Sequence, residues 1–358
     1  MSALADRIRG FIEAHADGSR DDATRDALLA ELSAIQALQV EPYRRYLAAE
    51  ARRPKAFARP ALPTDVFRYA RVASHALHED VKTFRTSGTT ADARGEHAFR
   101  DLSLYDQAAR AAARYALFPE KNKLSLCILA PRENELPDSS LSYMLARFSE
   151  WFGSETHYAW REGQLDIDTL VRVLDHATQP IALLGTSFAF VHADAALGAR
   201  QFRLPRGSRI MQTGGFKGRS RTFEPNEMLD LLAARYGIDR SFIVQEYGMT
   251  ELSSQLYETP LRAACLGRAE SPRRLWVPSW ARAEPIDPET LEPTQGDAPG
   301  LLRIDDLANI DSVCAIQTSD LARRYEDGVI VLGRAPDAVA RGCSLAVDQW
   351  LGTETDHA

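Results

Sequence analysis

Three short strand-like segments in the middle of the chain, two of them apolar runs and each closed by turn residues, limit the fold more than any other feature. Leu124-Ser-Leu-Cys-Ile-Leu-Ala130 stops at Pro131, and Ile181-Ala-Leu-Leu-Gly185 runs into Thr186-Ser187 and an apolar-periodic stretch. Arg209-Ile-Met-Gln-Thr213 ends in Gly214-Gly215. Runs of this length without polar alternation suit strands buried on both faces, as in a parallel sheet covered by helices. Strand and helix in alternation predict an α/β fold. Ahead of this core, Leu28, Leu29, Leu32, Ile35 and Leu38 recur at helical spacing and predict an amphipathic helix over about 20–40. Residues 101–118 read as another helix. After about residue 270 the pattern turns to short strands and turns, with Leu301-Leu-Arg-Ile304 and Val329-Ile-Val-Leu332 as the clearest strands. The expected organisation is a helical region over 1–80, an α/β core over 81–270, a β-rich subdomain over 271–340 and a short C-terminal arm over 341–358.

Composition narrows the partners. The chain has 358 residues, 45% hydrophobic and 26% charged, enough to bury a large core without disulfides or structural metal. Net charge is −7, and the basic pairs Arg44-Arg45, Arg52-Arg53 and Arg273-Arg274 are short and lie near acids, so no nucleic-acid partner is expected. The N-terminus lacks a basic segment followed by an apolar run, and no stretch of about 18 apolar residues occurs anywhere. Neither a signal peptide nor a membrane span is expected. Cys127, Cys265, Cys314 and Cys343 are far apart and show no metal-ligand spacing, which fits a reduced cytoplasmic protein without zinc.

Four segments carry chemistry. Thr86-Ser87-Gly88-Thr89-Thr90 offers backbone N–H groups and hydroxyls to phosphate oxygens, with Gly88 permitting close approach. Gln212-Thr-Gly214-Gly215-Phe-Lys217 closes a predicted strand with paired glycines, against which a flat ligand can lie at the edge where open α/β sheets bind ligands. Gln245-Glu-Tyr247-Gly248-Met-Thr250-Glu251 sets an aromatic ring beside a glycine, then a hydroxyl and a carboxylate, able to stack a base, touch phosphate and hold Mg²⁺. Thr318-Ser-Asp320 and Gly333-Arg334 supply an acceptor for two ribose hydroxyls and a fork of donors. Taken singly, each segment also fits an ordinary turn or hairpin.

In this order, the four segments resemble the motifs of the adenylate-forming superfamily of acyl- and aryl-CoA ligases. The resemblance covers about residues 80 to 345. It implies that Thr86, Ser87, Gly88, Thr89 and Thr90 form the phosphate loop, and that Tyr247, Gly248, Thr250 and Glu251 form the adenine and Mg²⁺ motif. Asp320 then becomes the ribose acceptor and Arg334 the arginine that follows it. The phosphate loop lacks the usual Pro-Lys pair and continues Ala91-Asp-Ala-Arg-Gly-Glu-His97. The chain also leaves no room for the mobile C-terminal domain that most members carry. The expected fold is therefore the large N-terminal-type domain alone, with two β-sheets layered with helices plus a β-rich subdomain.

A short member with Gly-Gly-Phe-Lys in the middle and Arg341-Gly-Cys343 near its end is similar to the LuxE-type acyl-protein synthetases. That resemblance implies fatty-acid activation and acyl transfer to a cysteine near the C-terminus, here Cys343. It also implies exchange of the acyl group with a protein such as a reductase, thioesterase or carrier protein. Thiolate attack on an acyl-adenylate is chemically reasonable because AMP leaves readily, and Arg341 beside the thiol favours the thiolate. Cys127 and Cys314, inside apolar runs, read as packing residues. His97, seven residues past Thr90, could face a phosphate in place of the missing lysine, but reads rather as a solvated loop histidine. The acid's pocket is expected near Phe216 and the 186–190 segment. Two alternatives stay open: a ligase delivering the acyl group to coenzyme A or a carrier-protein pantetheine, and a nucleotide-binding scaffold without catalysis.

Overall fold

The three segments become the strands Leu124–Leu129, Ile181–Thr186 and Arg209–Thr213, and all three lie side by side in parallel. In this computed structural model, residues 2–53, 59–87, 93–120, 122–214, 225–269 and 272–335 are described. They fall into two compact units, one comprising Met1–Ala111, Met249–Ser254 and Trp276–Ala358, the other Ala112–Gly248 and Gln255–Leu275.

The second unit is built on the parallel strands. Gly153–Tyr158 flanks Leu124–Leu129 on one side, and Ile243–Tyr247 flanks Arg209–Thr213 on the other, both in parallel; Leu256–Glu258 then adds an antiparallel strand. One set of alternating strand residues (Cys127, Leu129, Ile181, Leu183, Ile210 and Ile243) packs into a single core with Leu170, Phe190, Leu232 and Tyr236 from three helices. The other set, including Leu126, Ile128, Ala182, Leu184 and Met211, is buried as well. Two-sided burial is why residues 126–129 and 181–184 read as unbroken apolar runs. Two of its helices start where a polar side chain replaces a missing backbone partner: Asp166 accepts from Thr169 N, and Thr186 accepts from Ala189 N.

The first unit contains the helices Ser2–Ala14, Asp22–Gln39 and Glu41–Glu50 and a meander of four antiparallel strands. These strands, Ala281–Ile286, Gly300–Asp306, Ala315–Tyr325 and Gly328–Arg334, pair in sequence order, and Leu62–Pro63 joins the third in parallel. A separate hairpin pairs Lys82–Arg85 with Glu96–Phe99. The helix expected over 20–40 is present and buries Leu28, Leu29 and Leu32, but Leu38 is 76% exposed. Gln36 takes the buried place instead. Its amide nitrogen donates to the Asn309 carbonyl at 2.8 Å and its oxygen accepts from Cys314 N at 2.8 Å. A polar residue can replace an apolar one inside when both ends of its amide are matched. Among the described residues no helix is long and apolar enough to cross a membrane.

Candidate functional site

The register of the second unit's sheet brings three polar residues to neighbouring positions at the carboxyl ends of its strands. Thr186 lies beside Thr213, and Thr213 beside Glu246. The edge where ligands bind open α/β sheets is thus lined by hydroxyls and one carboxyl. Directly beyond it, Gly214 turns the chain with φ +78°, a conformation that disfavours any side chain. Its carbonyl accepts from the Ser187 hydroxyl at 2.9 Å. Gly215, Phe216 and Lys217 lie outside the described residues.

Glu246 is fully sequestered, and Thr213 is its only hydrogen-bonding partner among the described residues. Burial raises its pKa to about 7, against a smaller opposing effect of the Thr213 hydroxyl. The strand then reaches Tyr247 and Gly248. A Cβ at Gly248 would sit 2.5 Å from Glu246 Oε1, so a larger residue there would force that buried carboxyl to shift. Of the segment expected near the acid, Thr186 caps the following helix and Phe190 is completely buried in the core, so neither presents a free wall. Phe188, 48% exposed, remains available.

In the first unit the described part of the predicted phosphate loop closes on itself. Thr86 N donates to Gly95 O at 2.9 Å, Gly95 N donates to Thr86 Oγ1 at 2.9 Å, and Arg94 Nε donates to Thr86 O at 2.6 Å. This clamp sits at the base of the hairpin connection and leaves the Thr86 hydroxyl proton available to a ligand. Ser87 is exposed; Gly88, Thr89 and Thr90 lie outside the described residues.

Thr250 and Glu251 occupy a turn of the same unit, held by buried side chains from distant parts of the sequence. The Thr250 carbonyl lies 2.8 Å from His97 Nδ1, and the Glu251 carbonyl accepts from Asn309 Nδ2 at 2.9 Å. Ser253 N and Ser254 N both donate to Asp306 Oδ2, at 3.0 and 2.8 Å. The Ser254 hydroxyl donates to Asp306 Oδ1 at 2.7 Å and accepts from Trp280 Nε1 at 3.1 Å. His97 is therefore not a solvated loop residue. It lies within the strand Glu96–Phe99 and is wholly buried, and burial pushes its pKa down to about 4.

Further along, the register sets Asp320 opposite Arg334, with Nε 3.7 Å from Oδ1. Asp320 N donates to Thr318 Oγ1 at 3.1 Å, and the Thr318 hydroxyl donates to the Leu302 carbonyl at 2.7 Å. Thr318 thereby fixes the backbone from which Asp320 projects, while Arg334, 71% exposed, can swing. The register thus brings Asp320 and Arg334 to facing positions on neighbouring strands.

Among the described residues no group of three or more His, Cys, Asp or Glu side chains is placed to hold a metal. A single carboxylate such as Glu251 suits Mg²⁺ that arrives with a nucleotide, because Mg²⁺ keeps several waters and takes its other ligands from phosphates. Asn309 Oδ1, buried with no donor among the described residues, leaves an acceptor for water near this turn. Cys127 and Cys314 are buried, as their apolar surroundings indicated, and burial raises both thiol pKa values. Cys265 donates to Glu120 Oε1 at 3.1 Å, and burial with that carboxylate raises its thiol to about 12. None of the three is primed as a nucleophile. Cys343 lies outside the described residues.

Glu246, His97, Asp306 and Asn309 were not legible as a set beforehand. The one available signal was a cluster of polar residues, from Asp305 to Ser312, inside an otherwise apolar stretch; without helical or strand periodicity, such a cluster implies buried hydrogen bonding.

The fold is that of the adenylate-forming ligases. A structure of 2-hydroxyisobutyryl-CoA ligase in complex with 2-HIB-AMP and CoA superimposes with a TM-score of 0.65 at 16% identity, covering 90% of this chain and 77% of that one. ATP-bound MatB from Rhodopseudomonas palustris superimposes with a TM-score of 0.52 at 14% identity, covering 73% of this chain. The chain spans about half of MatB, 49% of its length. No curated protein sequence matches the chain. Over residues 15–352 it matches the LuxE acyl-protein synthetase family, and it belongs to that family.

Proposed function

We propose that this chain uses ATP and Mg²⁺ to activate a carboxylic acid, fatty or aryl, and then passes the acyl group to a thiol. Membership of the acyl-protein synthetase family over residues 15–352 is the observation that carries the reading. In the first step a carboxylate oxygen attacks the α-phosphorus of ATP, the bond to the bridging oxygen breaks, and pyrophosphate leaves. In the second, a thiolate attacks the acyl carbon and AMP departs with the oxygen that came from the acid.

Little covalent chemistry falls to the protein, so its contribution is positioning and charge stabilisation. In the first unit, Thr86, Ser87, Gly88, Thr89, Thr90 and Thr250 donate to phosphate oxygens. Asp320 accepts the ribose hydroxyls and Arg334 adds donors beside them. Glu251 holds Mg²⁺, which when bound neutralises charge building on the phosphates. Gly214, Gly215, Tyr247 and Gly248 are assigned to adenine and Phe188 to the acid. The accepting thiol in this reading is Cys343, and a partner protein then collects the acyl group.

A second acceptor, coenzyme A or a carrier-protein pantetheine, is favoured by one observation: the 2-hydroxyisobutyryl-CoA ligase that aligns over 90% of this chain binds CoA. Exchange of labelled pyrophosphate into ATP, measured across fatty and aromatic acids, tests activation. Intact-mass measurement then tests the acceptor. One acyl increment on the wild-type chain, absent from Cys343→Ala, is expected. Thioester formation on coenzyme A with Cys343→Ala fully active selects the second acceptor, and no exchange with any acid contradicts both.

A further inference from the structure

His97 is joined to the Thr250-Glu251 turn more specifically than core packing requires. A carbonyl oxygen can only accept, so the 2.8 Å contact with Thr250 O places the ring proton on Nδ1. Burial keeps the ring neutral at pH 7. Nε2 is then an acceptor, and the Ser312 hydroxyl, 2.9 Å away, donates to it. The ring is locked in one tautomer and packed by Phe99 and Phe67, with centroids 4.1 and 6.0 Å distant.

The turn it holds has little regular backbone pairing of its own. Its consecutive carbonyls, of Thr250 and Glu251, go to His97 and Asn309, and its next free N–H groups go to Asp306. His97 also pairs with Phe84 in the hairpin whose connection carries Thr86 and Ser87. One side chain therefore links the hydroxyl loop's hairpin to the turn bearing the proposed phosphate and magnesium ligands. A buried histidine is usually no more than a satisfied core residue. Here the donating nitrogen is spent on that turn, and the accepting nitrogen on the residue that fixes the tautomer.

We propose that His97 is a positioning residue: its Nδ1–H, oriented by Ser312, fixes the Thr250 carbonyl and so aims the Thr250 hydroxyl and the Glu251 carboxylate at magnesium-bound phosphate. The inference rests on the adenylation reading and names a part of the same site. Outer partners that orient metal ligands change metal affinity by about 10–100-fold when removed.

The two amide replacements separate this role from space filling. His97→Asn carries its amide nitrogen near the Nδ1 position and can still donate to Thr250. His97→Gln carries it near Nε2, toward Ser312. Calorimetric binding of a non-hydrolysable ATP analogue to the full chain, with Mg²⁺ and with EDTA, is the measurement. His97→Asn is expected to bind the magnesium complex within roughly threefold of wild type, and His97→Gln roughly tenfold or more weakly, with no difference between them in EDTA. Ser312→Ala, which leaves the Nδ1 bond in place but frees the tautomer, is expected to weaken binding by roughly threefold in Mg²⁺ alone. This arm decides the matter if the His97 variants fail to fold. Equal loss in the Asn and Gln variants, or an unchanged Ser312→Ala, overturns the role of His97 while leaving adenylation standing. A wild-type chain that binds no magnesium nucleotide defeats both.

Discussion

Two buried titratable side chains sit beside the two halves of the Tyr247-Gly-Met-Thr-Glu251 segment, and burial has opposite consequences for them. In the first unit, His97 satisfies both ring nitrogens and stays neutral by giving up a proton it would otherwise hold below pH 6.5. In the second, Glu246 has one hydroxyl partner and keeps, up to about pH 7, a proton it would otherwise lose near 4.5. Desolvation drives each toward its uncharged form, which for a base means a lower pKa and for an acid a higher one. The pair shows burial pushing two polar groups toward their uncharged forms in two different settings. One region does it with a completed hydrogen-bond set, the other by holding a proton.

The comparison breaks most visibly at the anchor of the first region. Asp306 accepts from Ser253 N, Ser254 N, Ala308 N and the Ser254 hydroxyl, all buried. Asp306→Ala orphans three backbone N–H groups and is expected to cost about 3–5 kcal/mol in urea unfolding. A loss below about 1 kcal/mol would show that the turn re-forms its bonds elsewhere.

The pH dependences come next and should mirror each other. The folded-state pKa of His97 is depressed from 6.5 to about 4, so its contribution is present above pH 6.5 and lost as pH falls toward 4. Glu246 is raised from 4.5 to about 7, so its contribution is present below pH 4.5 and lost as pH rises toward 7. Each shift corresponds to about 3 kcal/mol at most. Glu246→Gln should therefore gain stability relative to wild type between pH 5 and pH 8, and His97→Gln should lose less than wild type on acidification from pH 7 to pH 4. Parallel stability profiles of variant and wild type would remove the contrast.

The smallest effect sharpens the second region. Gly248→Ala puts a methyl against Glu246 Oε1 and should cost about 1–3 kcal/mol. Combined with Glu246→Ala the cost should shrink, a coupling of about 1 kcal/mol or more in a double-mutant cycle. Additive effects would mean that the glycine is needed for some other reason.

Legibility divided along the same lines. The strands Leu124–Leu129 and Ile181–Thr186 could be read directly because burial on both faces forces local apolarity, and Arg209–Thr213 from the glycines that close it. Asp320 and Arg334 could be paired because a hairpin turns sequence spacing into register. The anchors of the Thr250-Glu251 turn could not. His97 and Asn309 reach it from 153 and 58 residues away, and nothing local distinguishes a buried histidine from a solvated one before its partners are known. Gln36 shows the same limit inside a helix, where an amide displaced the expected Leu38 from the interior because its partners lie near residue 310.

The central claim is that a carboxylate oxygen forms a bond to the α-phosphorus of ATP. Supplying the acid labelled with oxygen-18 in its carboxylate, together with ATP and a thiol acceptor, tests this directly by mass spectrometry of the nucleotide product. The account predicts AMP carrying one labelled oxygen in its phosphate. Unlabelled AMP, or label appearing in inorganic phosphate with ADP as the nucleotide product, would contradict it.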